Sequence, residues 1–313
     1  MNDSYTSLRN ELAKVIFGQD ETIEFALAAL FSCGHVILEG PPGVAKTLLV
    51  RTLAAALDVS YGRIQMTPDL LPSDITGSSI YREDTHSFEF RKGPIFASFV
   101  LADEINRSSA RTQSALLEAM QELHVTYDGV SYALPEPFIV FATQNPIEQE
   151  GTYPLPLAQL DRFMFKVRIA YPAAEDERRI LREHHATAGL SSPERMMVNK
   201  VLTAGAIIES RRMIRETHVR DEVVDYVQRL VQATRNTDSL LVGASPRSGL
   251  MLLMGAKSLA RFAGRDFVTP DDVKTALLPA MRHRVVLSPT SELEGTTTDN
   301  VLAELMEIVE VPR

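Results

Sequence analysis

Short apolar runs alternate with amphipathic stretches along the first two-thirds of the chain. The runs HVILE (35–39), GRIQM (62–66), SFVLAD (98–103), FIVFAT (138–143) and FMFKVRI (163–169) read as strands. Several are apolar at nearly every position, as expected of strands buried on both faces of a parallel sheet. Between them, 47–57 and 110–123 carry helical spacing, the second behind Ser108 and Ser109 as N-cap candidates. The pattern predicts a doubly wound α/β domain with helices on both faces, over residues 1–172.

Beyond Pro172 the strand signal disappears. The stretches 175–188, 221–236, 246–263 and 270–284 all have helical spacing, so 173–313 is expected to be a small all-α domain. Thr269, Pro270, Asp271 and Asp272 form a strong helix start: a cap, a proline at the first helical position and acids in the first turn. The Ser/Thr-rich segment 288–300 reads as loop before a short final helix.

Composition narrows the class. The 313 residues suffice for two domains, and the hydrophobic fraction of 45% is that of a soluble globular protein. No apolar run reaches the length of a membrane span, and the opening MNDSYTSLRNEL does not read as a signal peptide, so a cytoplasmic protein is expected. A single cysteine, Cys33, excludes an internal disulfide and a multi-cysteine zinc site. The formal net charge of −9, with no Lys/Arg block and no Trp, argues against nucleic acid as the main partner.

The candidate chemistry sits at strand ends. Gly40, Pro41, Pro42, Gly43, Val44, Ala45, Lys46, Thr47 and Leu48 follow the first strand and enter a helix. Such a loop cradles phosphates with backbone N–H groups, its lysine reaching the β- and γ-phosphates of ATP or the β-phosphate of ADP, and its threonine holding Mg²⁺. The third strand ends in Asp103 and Glu104, suited to the shell of Mg²⁺ and to polarising an attacking water. The fourth runs into Asn145, placed to orient that water. Arg247 lies in a helix first turn behind Ser245 and Pro246, where a cation opposes the helix dipole at a cost of roughly 0.3–1 kcal/mol unless an anion is near. Arg162 precedes the last strand and is a candidate for acting on a neighbour's γ-phosphate. A salt bridge with Asp161 is its bland alternative, and Arg107 and Arg111 are weaker candidates for the same contact.

These residues resemble the MoxR branch of the AAA+ ATPases over essentially the whole chain. The resemblance rests on LEGPPGVAKT, QMTPDLLPSDITG, KGPIFASFVLADEINRSSARTQSALLEAMQE, FATQNPIEQEGTYPLPLAQLDRF, GASPRSGL and GRDFVTPDDV, in that order. It implies a sheet of order 5-1-4-3-2, a helical lid and a hexameric ring formed on nucleotide binding. It marks Lys46 and Thr47 as Walker A, Asp103 and Glu104 as Walker B, Asn145 as sensor 1, Arg162 as arginine finger and Arg247 as sensor 2. It also implies inserts near 72–90 and 127–137, and an adenine contact from Gly18 and Gln19 with Val15 and Ile16 before them. Relatives of this kind act as chaperones on protein complexes, often with partners bearing von Willebrand factor A domains.

One position departs from the general phosphate-loop pattern, which has glycine where this chain has Ala45. A right-handed backbone is expected there, because it suits alanine better than glycine. Two rival functions share the nucleotide loop: a nucleic-acid-stimulated motor, disfavoured by the acidic balance, and a non-hydrolysing nucleotide-gated scaffold, disfavoured by the intact acids. Of the remaining residues, His184 and His185 are expected at the surface, Cys33 as a small buried hydrophobe, and Glu118 and Glu122 on a solvated helix edge.

Overall fold

The computed structural model describes residues 1–84, 86–146, 152–186 and 198–312. Five strands, Val36–Glu39, Tyr61–Gln65, Phe99–Asp103, Ile139–Gln144 and Phe165–Arg168, form a wholly parallel sheet in the spatial order fifth, first, fourth, third, second. This is the order 5-1-4-3-2 that the resemblance implied. All five apolar runs read as strands are strands.

Alternation along each strand feeds two cores. Val36 and Leu38 join Phe99, Phe141, Phe165 and Val167 on one face, while Ile37, Val100, Val140 and Ala142 line the other. Register explains the aromatic content of the first face: Val36 lies opposite both Phe141 and Phe165, and Phe99 stacks on Phe141 at 4.9 Å. The helices Asp20–Phe31 and Lys46–Ala55 cover this face. The helix Ala110–Glu122, capped by Ser109, covers the other through Leu116, Leu117 and Met120. Two antiparallel hairpins, Gly77–Arg82 with Ser87–Lys92 and His124–Tyr127 with Val130–Ala133, stand at or beside the places where the resemblance put its inserts.

The C-terminal third is helical but not purely so. Leu240–Val242 pairs with Val286–Leu287, and Leu202–Thr203 pairs in parallel with Leu57–Asp58 of the first part. Ladders of two or three residues are too short to leave a periodic trace in sequence, so the all-α expectation is corrected on this point. The segment expected as loop also contains a short helix, Pro289–Leu293, whose cap Ser288 accepts from the Ser291 N–H. Its serines and threonines are caps: Thr297 heads the last helix, Thr298–Ile308. Thr269 and Asp272 form the capping box that the sequence promised.

The first core runs unbroken into these helices. A Cβ on Gly255 would meet the Phe165 ring at 2.9 Å, so glycine is what lets helix Pro246–Phe262 close on the sheet. Tyr5 of the first helix stacks on Phe262 at 4.0 Å.

A buried polar clasp between the two parts is Arg284, whose side chain is 1% exposed. Its Nε donates to Asp161 Oδ1 at 2.6 Å, and its Nη atoms donate to the carbonyls of Asp161, Phe163, Met164 and Ala280. Burial pulls its pKa down to about 10, with the Asp161 hydrogen bond opposing, so the guanidinium stays charged at neutral pH. Removing Arg284 leaves the Asp161 carboxylate with Ser245 as its remaining side-chain partner and takes the donor from four backbone carbonyls. Arg284→Leu is therefore expected to cost about 3–5 kcal/mol of stability, read as a lower urea midpoint with an unchanged slope.

His35, just ahead of the first strand, is buried between the sheet and Met120. Its Nδ1 accepts from the Val140 N–H at 3.0 Å, which assigns the proton to Nε2, facing the Met120 carbonyl. Burial, reinforced by Arg211 and Arg247, lowers its pKa from 6.5 to about 4. The unfolded chain thus takes up a proton near pH 6.5 that the folded chain refuses until about pH 4, so stability is full above 6.5 and is lost as pH falls through that window. The buried His283 is shifted in the same direction. Comparing urea unfolding at pH 7.5 and pH 4, His35→Gln should lose about 3 kcal/mol less than the natural chain.

Candidate functional site

Four of the five strand ends open on one crevice of about 560 Å³, at the carboxyl edge of the sheet. The first strand leads into the loop Gly40–Ala45 and then helix Lys46–Ala55. Gly40 is sterically required, since a Cβ there would lie 2.4 Å from the Ile169 carbonyl. Gly43 turns at φ +83, and Ala45 follows at φ 64, ψ 21. The expectation of a right-handed Ala45 is therefore overturned: the loop needs a left-handed residue to start its helix, and alanine bears the strain. Lys46 Nζ donates to the carbonyls of Gly40 at 2.5 Å and Pro41 at 2.8 Å, which holds the ammonium over the loop.

Asp103 is the hub of the crevice. It is 7% exposed, and its Oδ1 accepts from the Thr143 hydroxyl at 2.7 Å. Its Oδ2 accepts from Arg63 at 2.6 Å, and the Thr47 hydroxyl stands 3.4 Å from both oxygens. The Thr143 hydroxyl also accepts the Glu104 N–H at 2.8 Å, so one threonine fixes both acids. Glu104 itself adopts φ 58, ψ 53, a strained geometry that turns its side chain into the crevice. There its Oε2 accepts from Arg107 at 2.9 Å and Gln65 at 3.2 Å. Asn145, 6% exposed, lines the same crevice.

Three of these groups escaped the sequence reading: Arg63, Gln65 and Thr143. A signal existed for the first two. Arg63 and Gln65 stand two apart on the second strand, and Gln65 pairs in register with Asp103, so both polar chains flank the acid. For Thr143, the terminal hydroxyl of an otherwise apolar strand gave no distinguishing mark.

A hollow of about 110 Å³ adjoins the loop, walled by Val15, Ile16, Phe17 and Leu48. Gln19 donates through Nε2 to the Val44 carbonyl at 2.9 Å, and its buried Oε1 has no partner among the described residues. An apolar slot with one unpaired acceptor suits an aromatic base bearing an exocyclic amine. Gly18, at φ +68, shapes the turn above it; a Cβ there would clash with Asp176. The donor set near Thr47 fits Mg²⁺, which takes a hydroxyl and a carboxylate and completes its shell with phosphate oxygens and water. No cluster of three His, Cys, Asp or Glu exists among the described residues, so a chelating protein cage for another metal is not present there.

The two arginines singled out by sequence lie elsewhere. Arg162 and Arg247 line a second cavity of about 450 Å³, between the helical part and the amino edge of the sheet, beside Gly34, His35, Phe138 and Met164. Arg247 thus does not share the crevice of its own chain's phosphate loop. The Arg162–Asp161 pair is also set aside, because Asp161 binds Arg284 and Ser245, while Arg162 donates to the Leu117 carbonyl at 2.5 Å. Arg107 is engaged with Glu104, and Arg111 is exposed. Cys33 corrects another expectation: it is exposed, because its φ of 58 at the end of helix Asp20–Phe31 turns the thiol outward. Glu118, Glu122 and His185 are exposed as expected, whereas the side chain of His184 falls outside the described residues.

The left-handed turn at Ala45 belongs to the folded chain itself, so its cost falls on folding and not on ligand affinity. Glycine would relieve about 1–2 kcal/mol of strain and return about 0.4–1 kcal/mol as unfolded-state entropy. Ala45→Gly is expected to raise the unfolding free energy by about 0–1.6 kcal/mol while leaving the Kd of a fluorescent ATP analogue within about threefold. A change in Kd of tenfold or more would mean that the loop rearranges on binding.

Comparison with known proteins agrees with this geometry. The family model described as ATPase family associated with various cellular activities (AAA) matches residues 35–165, and the AAA lid domain matches residues 232–305. The chain is 43% identical to Chaperone MoxR1 of Mycobacterium tuberculosis, over 97% of this chain and 81% of that protein. It is 44% identical to the uncharacterized protein YeaC of Bacillus subtilis, over 96% and 92%. Protein MoxR of Paracoccus denitrificans is 33% identical over 89% and 87%. The crystal structure of a candidate ATPase from Cytophaga hutchinsonii superposes with a TM-score of 0.91 at 40% identity, covering 100% of this chain and 96% of that one. With that fold, that crevice and those relatives, the chain belongs to the MoxR family of AAA+ ATPases.

Proposed function

We propose that this protein hydrolyses ATP with Mg²⁺ and uses the cycle to remodel or activate a protein complex, as a cytoplasmic chaperone working in a ring. The observation that carries the chemistry is the convergence of Lys46, Thr47, Asp103, Glu104 and Asn145 on one crevice at the carboxyl edge of a parallel sheet. The chaperone role is supported by Chaperone MoxR1 of Mycobacterium tuberculosis.

In this reading the adenine lies in the slot at Gln19, and the loop N–H groups hold the phosphates. Lys46 exchanges its carbonyl contacts for phosphate oxygens. Bound between Thr47, Asp103 and the phosphates, Mg²⁺ would neutralise charge on the leaving group. Water attacks the γ-phosphorus, the bond to the β,γ-bridging oxygen breaks, and ADP departs with the electron pair. Glu104 draws the water's proton, and Asn145 orients the water. Arg107 and Gln65 both bond Oε2, so Oε1 can take the proton while those two contacts hold the carboxylate in place. Arg162 and Arg247, remote from this crevice, would act on the nucleotide of a neighbouring subunit. Residues 173–313 would serve as the lid.

Water activation by a carboxylate contributes typically 10²–10⁴-fold. Glu104→Gln should therefore bind ATP as the natural chain does, yet release phosphate at least about a hundredfold more slowly. Radiolabelled ATP retention on the isolated protein, with a phosphate-release assay alongside, measures both. A natural chain that assembles and binds ATP but releases no phosphate would make it a nucleotide-gated scaffold instead.

A further inference from the structure

The cavity at the amino edge of the sheet gathers more positive charge than Arg162 and Arg247 alone account for. Arg211, on helix Ala204–Arg215, lines it too. This residue is 4% exposed; its Nε donates to the Leu30 carbonyl at 3.1 Å, and its Nη2 has no partner among the described residues. No carboxylate forms an ion pair with it among the described residues, and the acid lining the cavity, Glu136, is exposed and makes none with Arg162 or Arg247 either. Burial lowers the Arg211 pKa, opposed by Cys33 and Glu136 on the cavity wall, neither of which pairs with it directly. Such an arrangement is costly to keep unless an anion completes it.

The donors are already oriented. Arg211 and Arg162 are each tethered through one nitrogen to a backbone carbonyl, of Leu30 and Leu117. The Arg247 side chain makes no hydrogen bond or ion pair among the described residues, and its helix is headed by the box Ser245–Ser248. His35, neutral at physiological pH, adds an uncharged wall. Three guanidinium forks around one space suit an anion with several oxygens, and phosphate matches them best.

The source of that phosphate follows from polarity. Strand ends define both sites: the phosphate loop opens at the carboxyl edge, the arginine cavity at the amino edge. A chain's own nucleotide therefore lies across the sheet from its own arginines. Head-to-tail contact between copies would bring the carboxyl edge of one to the cavity of the next, and repetition of such a contact gives a ring where the rotation closes. Building on the ATPase reading above, we propose that the cavity receives the terminal phosphate of a nucleotide held by a neighbouring copy, and that Arg211 binds that phosphate as a buried third cation beside Arg162 and Arg247.

Full-length Arg211→Met and Arg211→Lys chains test this in three ways. Arg211→Met should lower kcat by about 10- to 100-fold, the worth of a charge-assisted hydrogen bond, and leave the Kd of its own loop for a fluorescent ATP analogue within about threefold. Mixing it with Lys46→Ala, whose cavity is intact, should restore turnover above that of either chain alone. Inorganic phosphate should raise the melting temperature of Lys46→Ala and do so less in Lys46→Ala/Arg211→Met. Natural turnover in Arg211→Met, or absence of rescue on mixing, overturns the assignment. Phosphate stabilisation without rescue also overturns it, by making the cavity a site for free anion. Should Arg211→Met fail to give a cooperative melt, Arg211→Lys carries the same three readouts with a smaller loss expected. A natural chain that hydrolyses no ATP sinks the ATPase reading, and the phosphate melting arm then still judges Arg211 separately.

Discussion

The buried guanidinium of Arg284 is the interaction on which the arrangement of this molecule turns. Its desolvation is repaid only because each face of the fork finds oxygen: the Asp161 carboxylate, and carbonyls from the segment that leads into the last strand. That segment contains Arg162. The second oxygen of the same Asp161 accepts from Ser245, the cap of the helix whose first turn carries Arg247. One carboxylate thus sets the separation of two cations that come from distant parts of the chain. Position here is a consequence of a core ion pair, and the cavity arginines inherit its rigidity.

The parallel sheet supplies the second constraint. All five strands point one way, so strand-to-helix loops collect at one edge and helix-to-strand segments at the other. The phosphate loop and both acids belong to the first edge; His35, Arg162 and the cavity belong to the second. In this structure the sheet lies between the two groups. The proposed use of both groups on one nucleotide accordingly calls on a second copy of the chain.

Much of this was legible in the sequence, and the exceptions share a cause. The five strands announced themselves by apolar runs, and Lys46, Thr47, Asp103, Glu104 and Asn145 by their positions at strand ends. Backbone conformation was not legible: Ala45 and Cys33 both adopt positive φ, and their residue types argue for the opposite. Neither were the partners of the acids, because Arg63 and Thr143 reach Asp103 through sheet neighbours remote in sequence. Arg211 was invisible for the same reason. On a helix of mixed charge it looks like a solvated arginine, and only the fold buries it.

The strain in the crevice has a distribution that follows from its geometry. Ala45 and Glu104 are both left-handed, and each is the residue from which a helical turn starts. At Ala45 the turn starts the helix from Lys46; at Glu104 it swings a carboxylate out of line with the buried Asp103 beside it. An extended Glu104 would continue the alternation of the strand, and its side chain would leave the face on which Asp103, Arg63 and Gln65 meet. The left-handed residue breaks that alternation, so two adjacent acids enter one crevice. The Thr143 hydroxyl, bonded to the Asp103 carboxylate and the Glu104 N–H, holds the break in place. Stability is given up at these two residues, and the crevice gains neighbouring carboxylates that regular backbone would have separated.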